Sequence, residues 1–460
     1  MRKIFKLRGM GMVEPGIKCN ATPFEEIKLA LLCILAGLVS GFAAVIFRYL
    51  VGLFNNIFWH HGAHAFKGLG NIYKFLIPVV GLLIVSTFIK ISLRKGEDHG
   101  VQEVIKTIAL RGGKISPRIA PIEALASSIC IGAGGSVGPE GPMVQIGAGI
   151  GSTIGQVFKL HPAKLIQLTA AGAAGGLAAI FNAPVAGVIF AMEAILAKFH
   201  TKSFCYLALA SVTALQLRKL IMGTEPLLDL SSASFSNTYG LILFILVGIS
   251  GGIISGLFMK MLNVTEAFFK SLNAPYLLNA LLGGTVLGIF ALYLPQVLGE
   301  GYEYMEQVFN KEHIFTFIFI MLGVKIFATA ITINSGGSGG FFAPALYFGV
   351  MLGGLFSSYF GGINIEIVSH EAFIAAGMAS ILAGVFQSPI TAIIMIAEIA
   401  NCYHLVLPLM LVSVVSTYVN SMFYKGRSVY DMKLVKDGIK KLEPNLYFPN
   451  SSLKEMVKRS

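Results

Sequence analysis

Apolar segments follow one another from residue 27 to residue 423 with only short polar breaks between them. They lie near 27–58, 75–92, 119–133, 143–158, 165–180, 184–198, 204–222, 239–262, 276–295, 313–333, 342–360, 371–386, 388–400 and 403–423. No water-soluble domain can hide so many apolar faces. A bilayer accepts them, at about 20 apolar residues per spanning helix. Some segments reach that length. Others, such as 119–133 and 388–400, are shorter and bounded by Gly and Pro. Short bounded segments predict half-spanning, broken helices that meet inside the membrane. The expected fold class is an all-α polytopic membrane protein.

Composition agrees. Hydrophobic residues make up 55% of the chain and charged residues 13%, about half of the roughly 25% usual in soluble domains. Mean hydropathy is +0.75. These values exclude an ordinary cytosolic enzyme, a disordered chain and a fibrous protein. The 52 glycines predict helices packed backbone to backbone.

The net charge of +12 is concentrated at the ends. Arg2, Lys3, Lys6, Arg8, Lys18 and Lys28 lie at one, and Lys425, Arg427, Lys433, Lys436, Lys440, Lys441, Lys454, Lys458 and Arg459 at the other. Basic residues favour the cytoplasmic side, so both termini are expected there, with an even number of crossings. No aromatic-basic pattern points to nucleic acid. The amino-terminal stretch lacks the apolar run of a secretory signal. The expected organisation is a basic cytoplasmic segment over 1–26, a transmembrane domain over 27–424 and a basic cytoplasmic tail over 425–460. Cys19, Cys33, Cys130, Cys205 and Cys402 are odd in number and scattered. They read as buried free thiols rather than a disulfide framework or metal site.

The chain repeats itself. GGSVGPEGPMVQIG at 134–147 matches GGSGGFFAPALYFG at 336–349, and residues 170–193 match 375–398, pairing Pro184 with Pro389 and Glu193 with Glu398. Two related halves, about 27–222 and 239–424, are therefore expected, with a substrate site where they meet. Each block sets a Gly-rich turn just before an apolar helix. A helix amino terminus offers unpaired N–H groups and partial positive charge. Two such ends converging in the membrane can hold an anion without Lys or Arg, weakly enough to release it.

On these blocks the chain resembles the CLC-type chloride channels and chloride/proton exchangers, over roughly residues 25–432. Gly138-Pro139-Glu140-Gly141-Pro142 and Gly340-Phe341-Phe342-Ala343-Pro344 are two family motifs in the right order. Asn182-Ala183-Pro184 matches as well, and Tyr430 stands where the family has its pore tyrosine. The resemblance implies inverted repeats and a homodimer with one anion pathway in each subunit. It also implies that Glu140 is both gate and proton carrier. Protonation removes the charge that holds Glu140 in the anion's place, so transport should quicken on acidification. The anion-binding residues it implies are His99, Gly100, Gly138, Gly141, Phe341, Phe342 and Tyr430.

Two departures stand out. The first family motif, usually Gly-Ser-Gly-Ile-Pro, reads Glu97-Asp98-His99-Gly100-Val101-Gln102-Glu103, so His99 replaces the anion-binding Ser and Gln102 the Pro. An imidazole N–H can donate to an anion, and its charge varies near neutral pH. Otherwise His99 is a pore-wall residue beside backbone donors. Family exchangers also carry an inner proton-transfer Glu where this chain has Ala194. Glu193 is adjacent and is the candidate inner proton acid, although its repeat mate Glu398 argues for a shared structural role.

The resulting expectation is transport of chloride or a similar anion, coupled to protons by antiport. A passive pH-gated chloride channel is the alternative, and a fluoride-handling relative a further one. An intramembrane enzyme built on Glu140 lacks a second carboxylate, metal cluster or nucleophile in either block. No cofactor or metal is expected. Trp59, His60, His61 and His64 read as an interfacial loop rather than a zinc site. The expected partners are the anion, protons, the lipid bilayer and a second copy of the chain, in a prokaryotic plasma membrane. The tail beyond Tyr430 is too short for paired regulatory domains.

Overall fold

A computed structural model describes residues 23–62, 68, 70–93, 99–223, 228–235, 238–310, 315–361 and 367–436, and the backbone at 439–443 and 446–449. Cys19, His64, Glu97 and Asp98 lie outside the described residues.

The described chain forms seventeen α-helices. The first half holds α1 (Pro23–Asn55), α2 (Asn71–Ser92), α3 (Val101–Arg111), α4 (Ile119–Gly132), α5 (Glu140–Val157), α6 (Pro162–Phe181), α7 (Pro184–Phe190) and α8 (Thr201–Met222). The second holds α9 (Thr238–Ser271), α10 (Tyr276–Tyr293), α11 (Tyr302–Phe309), α12 (Phe315–Asn334), α13 (Phe342–Gly361), α14 (His370–Phe386), α15 (Pro389–Ile399) and α16 (Val406–Tyr424). A short α17 (Val429–Lys436) follows, then an antiparallel hairpin of β1 (Ile439–Glu443) and β2 (Leu446–Pro449) that the sequence did not predict. Among the described residues, nine helices are long and apolar enough to cross a membrane. The apolar stretches Ile119–Gly132, Pro184–Ile195, His370–Phe386 and Pro389–Ile399 are shorter, in keeping with broken spans.

The breaks follow from sequence. α6 ends at Asn182 and α14 at Gln387, both left-handed, with φ of 60° and 52°. In each case one extended residue and a proline follow, and the proline starts the next helix. Proline suits a first helical position because its missing N–H would be unpaired there anyway, and it keeps the preceding residue out of the helical region. The same stop and restart thus occurs twice, in register with the sequence repeat.

Packing follows the same duplication. α1, α6 and α8 pack on one another, as do α9, α14 and α16; α5 lies on α6 as α13 lies on α14. A Cβ on Gly147 would meet the carbonyl oxygen of Gly172, and one on Gly377 that of Gly349. Glycine at these equivalent crossings lets the backbones touch.

Two expectations need correction. Trp59, His60 and His61 are not in a loop: they lie in a π-helical turn, Asn56–His61, that continues α1. The indole of Trp59 ties that turn to the end of α4, donating to the Gly132 carbonyl at 3.0 Å. Cys33, Cys130 and Cys402 are buried free thiols, but Cys205 is exposed, because it points off the outer face of α8.

Candidate functional site

The two Gly-rich blocks meet face to face. Gly138 N–H donates to Gly340 O at 3.0 Å, and Gly340 N–H returns to Gly138 O at 2.7 Å. This antiparallel bridge joins equivalent residues of the two repeats, as a local two-fold between the halves requires. α5 and α13 start immediately after it, so their amino termini converge. Each has Pro at its third position, Pro142 and Pro344, and the first backbone bonds run from Met143 N to Pro139 O and from Ala345 N to Phe341 O. The amides of Glu140, Gly141, Phe342 and Ala343 therefore have no partner within their own helix.

Glu140 occupies this junction and is 1% exposed. Its Oε2 accepts the Ala343 amide of the opposite repeat at 3.4 Å, and its Oε1 accepts the Tyr302 hydroxyl at 2.8 Å. A carboxylate from one repeat thus sits on the helix end of the other. Partial charges and N–H groups there favour negative charge, and an inorganic anion would compete for the same place.

The glycines named from sequence also have a geometric use. Gly138 gives its amide to Gly340, and a Cβ there would collide with Glu140 Oε2. A Cβ on Gly141 would lie 2.8 Å from Gly340 Cα. Both residues are small so that the blocks can close. Gly100 gives its amide to the side-chain carbonyl of Gln145 on α5. Its amide is therefore engaged by Gln145 in this conformation.

The aromatic residues line up below Glu140. Phe342 stacks on Phe386 with ring centroids 4.2 Å apart and meets Phe181 and Phe190 edge-on. Phe341 and Phe386 both face Tyr430, at 6.5 and 5.3 Å. Tyr430 is set by a capping box at the start of α17: Ser428 N–H donates to Asp431 Oδ2 at 3.0 Å, and Asp431 N–H to Ser428 Oγ at 3.1 Å. Reciprocal caps of this kind fix a helix start. Tyr430 is 2% exposed, and among the described residues its hydroxyl has no hydrogen-bond partner. A buried hydroxyl is seldom left so; an anion would satisfy it.

His99 does not stand alone. Its Nδ1 lies 3.8 Å from Oε2 of Glu123, a carboxylate buried on α4 whose Oε1 accepts from Ser127 and Ser338, both at 3.2 Å. Ser338 belongs to the second Gly-rich block. Glu193 is also engaged. Its Oε1 accepts Ile390 N at 3.2 Å, and its Oε2 accepts Thr391 N at 2.7 Å and Thr391 Oγ1 at 2.6 Å, at the start of α15. Glu398 reciprocates at the start of α7, accepting Val185 N at 3.0 Å and Ala186 N at 2.7 Å. The two repeat-mate glutamates cap each other's partner helix.

Sequence reasoning missed Glu123, Lys325 and the group around Tyr302. Glu123 and Lys325 carried a signal, being lone charges in apolar segments, where a charge marks function by default. Arg48, inside the apolar segment 27–58, carried the same signal; Glu300 and Tyr302 carried none. Arg48 Nη1 pairs with Glu300 at 3.1 Å. Fully buried Lys325 donates to the carbonyls of Val297 and Gly299, at 2.9 and 2.8 Å. Among the described residues no His, Cys, Asp or Glu cluster could hold a metal.

Comparison with known proteins matches this architecture. A family model described as "Voltage gated chloride channel" covers residues 81–421. The chain is 30% identical over 438 residues to "Chloride channel protein CLC-e" of Arabidopsis thaliana, covering 87% of this chain and 60% of that relative. It therefore spans only about three fifths of the plant protein. It is 30% identical over 328 residues to the "H(+)/Cl(-) exchange transporter ClcA" of Vibrio cholerae, covering 69% of each. Among solved structures, a slow cyanobacterial Cl-/H+ antiporter superposes with a TM-score of 0.81 at 24% identity, over 89% of this chain and 98% of that one; at that identity it speaks for the fold alone. The bridged helix ends, the carboxylate between them and the match over most of the chain lead to one conclusion: the chain belongs to the CLC family, the voltage gated chloride channels.

Proposed function

We propose that this protein carries chloride or a similar small anion across a membrane in exchange for protons, with Glu140 as gate and proton carrier. One observation carries the reading: the Glu140 carboxylate lies on the amino terminus of α13, where a permeating anion would bind. Ionised, it fills the site and blocks it. Protonated, it loses most of its attraction to the helix end and can leave. The unpartnered hydroxyl of Tyr430 lies among the aromatic rings toward the other end of the pathway. The relatives named as exchangers support the proton coupling. The basic ends support cytoplasmic termini, with residues 425–460 as a cytoplasmic tail. The Tyr430 end of the pathway then opens inward and the Arg48 end of α1 lies outside. We place the protein in a plasma membrane as a homodimer with one pathway per subunit. The reading is transport rather than catalysis.

A second reading, a passive pH-gated channel, is favoured by one feature: Ala194 carries no proton, and the neighbouring Glu193 is tied up as a helix cap. Reconstituted liposomes with simultaneous recording of anion efflux and external pH separate the two. Antiport predicts that anion efflux draws protons inward and alkalinises the outside even against a proton gradient. Glu140→Gln should keep anion efflux, abolish the proton movement and lose pH dependence. Wild-type efflux without uphill proton movement would leave the channel. No anion efflux at all would defeat both.

A further inference from the structure

The segment Val297–Tyr302 is anchored more firmly than a connection between α10 and α11 requires. Arg48 of α1 holds Glu300 at 3.1 Å. Lys325 of α12 holds the carbonyls of Val297 and Gly299. The Gly299 amide reaches Gly134 O at 3.4 Å. Gly301 is left-handed, with φ of 84°, and lies so close to the Tyr347 ring that a Cβ would stand 2.7 Å from Cδ2. Glycine alone adopts that backbone freely, and no other residue fits the gap. Two basic side chains committed to so short a segment are costly in a membrane domain. Together the anchors deliver one group to the gate: the Tyr302 hydroxyl, donating to Glu140 Oε1 at 2.8 Å.

Resting on the reading of Glu140 as the gate, we propose that Tyr302 is its outer latch, a positioning residue whose hydroxyl holds ionised Glu140 in the blocking position and sets the pH at which the pathway opens. A hydrogen bond to a carboxylate is roughly twice as strong as one between neutral groups. It is therefore strong while Glu140 is ionised and weak once an external proton has been taken up, which is when the gate must move. The proton goes from external water to the Glu140 carboxylate, and Tyr302 keeps its own. The charged and titratable groups around the pair are Arg48 of α1, Glu300 of the anchored segment, Lys325 of α12, Tyr347 of α13 and Tyr430 of α17. Glu300, Arg48 and Tyr430 are within electrostatic reach of Glu140. These groups set the background field, but among the described residues only Tyr302 and backbone amides donate directly to the Glu140 carboxylate.

The test is the pH profile of anion efflux from liposomes holding the full chain, as wild type, Tyr302→Phe, Glu140→Gln and the double variant. Phenylalanine keeps the ring and removes the donor. The ionised form loses support, so the midpoint of activation should move to higher pH by about 1–2 units. In the Glu140→Gln background the same substitution should change nothing. A Tyr302→Phe profile that superimposes on wild type would overturn the latch, as would an equal gain of flux in the Glu140→Gln background. If Tyr302→Phe does not fold, 3-fluorotyrosine incorporated at position 302 should shift the midpoint to lower pH, because its hydroxyl is the stronger donor. An unmoved midpoint there also overturns the latch. Wild type without anion efflux would sink the transport reading itself. Efflux governed by Glu140 but indifferent to position 302 sinks the latch alone.

Discussion

Truncating Glu193 to Ala should destabilise the protein about as much as truncating Glu398, and should do so without stopping proton-coupled transport. Glu193 accepts two amides and one hydroxyl at the start of α15; Glu398 accepts two amides at the start of α7 and the Tyr403 hydroxyl. Both side chains are half-buried, so each bond should count at or just below the low end of the range for charged acceptors, about 1–1.5 kcal/mol. The helix end adds about 0.3–1 kcal/mol. The expected losses are about 3–5 kcal/mol for Glu193→Ala and for Glu398→Ala alike. An unfolding entropy of about 2.1 cal/mol/K per residue makes 1 kcal/mol worth about 1 °C in a chain of this length. Unfolding midpoints in detergent should therefore fall by about 3–5 °C. Because α7 and α15 pack on each other, the double variant should fall by less than the sum. Glu193→Gln keeps the size and one acceptor oxygen but sets its NH2 against the remaining donor, and should lose part of what Ala loses. The reasoning fails if Glu193→Gln keeps the wild-type midpoint yet abolishes uphill proton movement. Glu193 would then be the inner proton acid.

Tyr430→Phe should weaken anion affinity several-fold in isothermal titration, because the unpartnered hydroxyl is what the anion satisfies; unchanged affinity would show that the hydroxyl stays dry. His99→Ser should lower anion affinity and alter the chloride/nitrate/fluoride order by leaving Glu123 without its imidazole partner. The pair His99→Ser/Glu123→Gln should recover most of that affinity, and no recovery would mean that the imidazole binds the anion directly.

Much of the fold could be read from the chain because its signals are local. Apolar length gave the spans, Gly and Pro gave the breaks, and the matching Gly-Gly-Ser blocks gave the duplication. The place of Glu140 was legible for the same reason: a carboxylate inside a Gly-Pro-Glu-Gly-Pro block falls at a helix start. The illegible part is tertiary. Tyr302 is 162 residues from Glu140, in a polar connection with nothing to distinguish it from any other loop tyrosine. The roles of Gly100, Gly138 and Gly141 were illegible because a motif glycine has two physical uses. It can lend its amide or it can vacate space, and only the positions of Gln145, Gly340 and the Glu140 carboxylate decide between them.

The repeat keeps buried charge at equivalent places while reversing its sign, which identity matching does not detect. Gly100 and Gly301 each cap their helix with positive φ, at 89° and 84°. His99 precedes the first and Glu300 the second. Glu123 and Lys325 occupy equivalent places on α4 and α12, one facing His99 at 3.8 Å and the other within electrostatic reach of Glu300. Their neighbours correspond too: Ser127 reaches Ser338 at 2.8 Å, and Thr329 reaches Ser136 at 3.2 Å. One end of the pathway thus carries a basic loop residue over an acidic helix residue, and the other an acidic loop residue over a basic helix residue. A buried charge needs a charge partner or hydrogen bonds: Glu123 has His99 and two serines, and Lys325 has two backbone carbonyls. The difference has a physical consequence. Lys325 is fixed to backbone carbonyls and steadies the loop that reaches Glu140, whereas His99 faces the carboxylate of Glu123. The Arg48 end is therefore braced through main-chain carbonyls, and the His99 end through a contact between side chains.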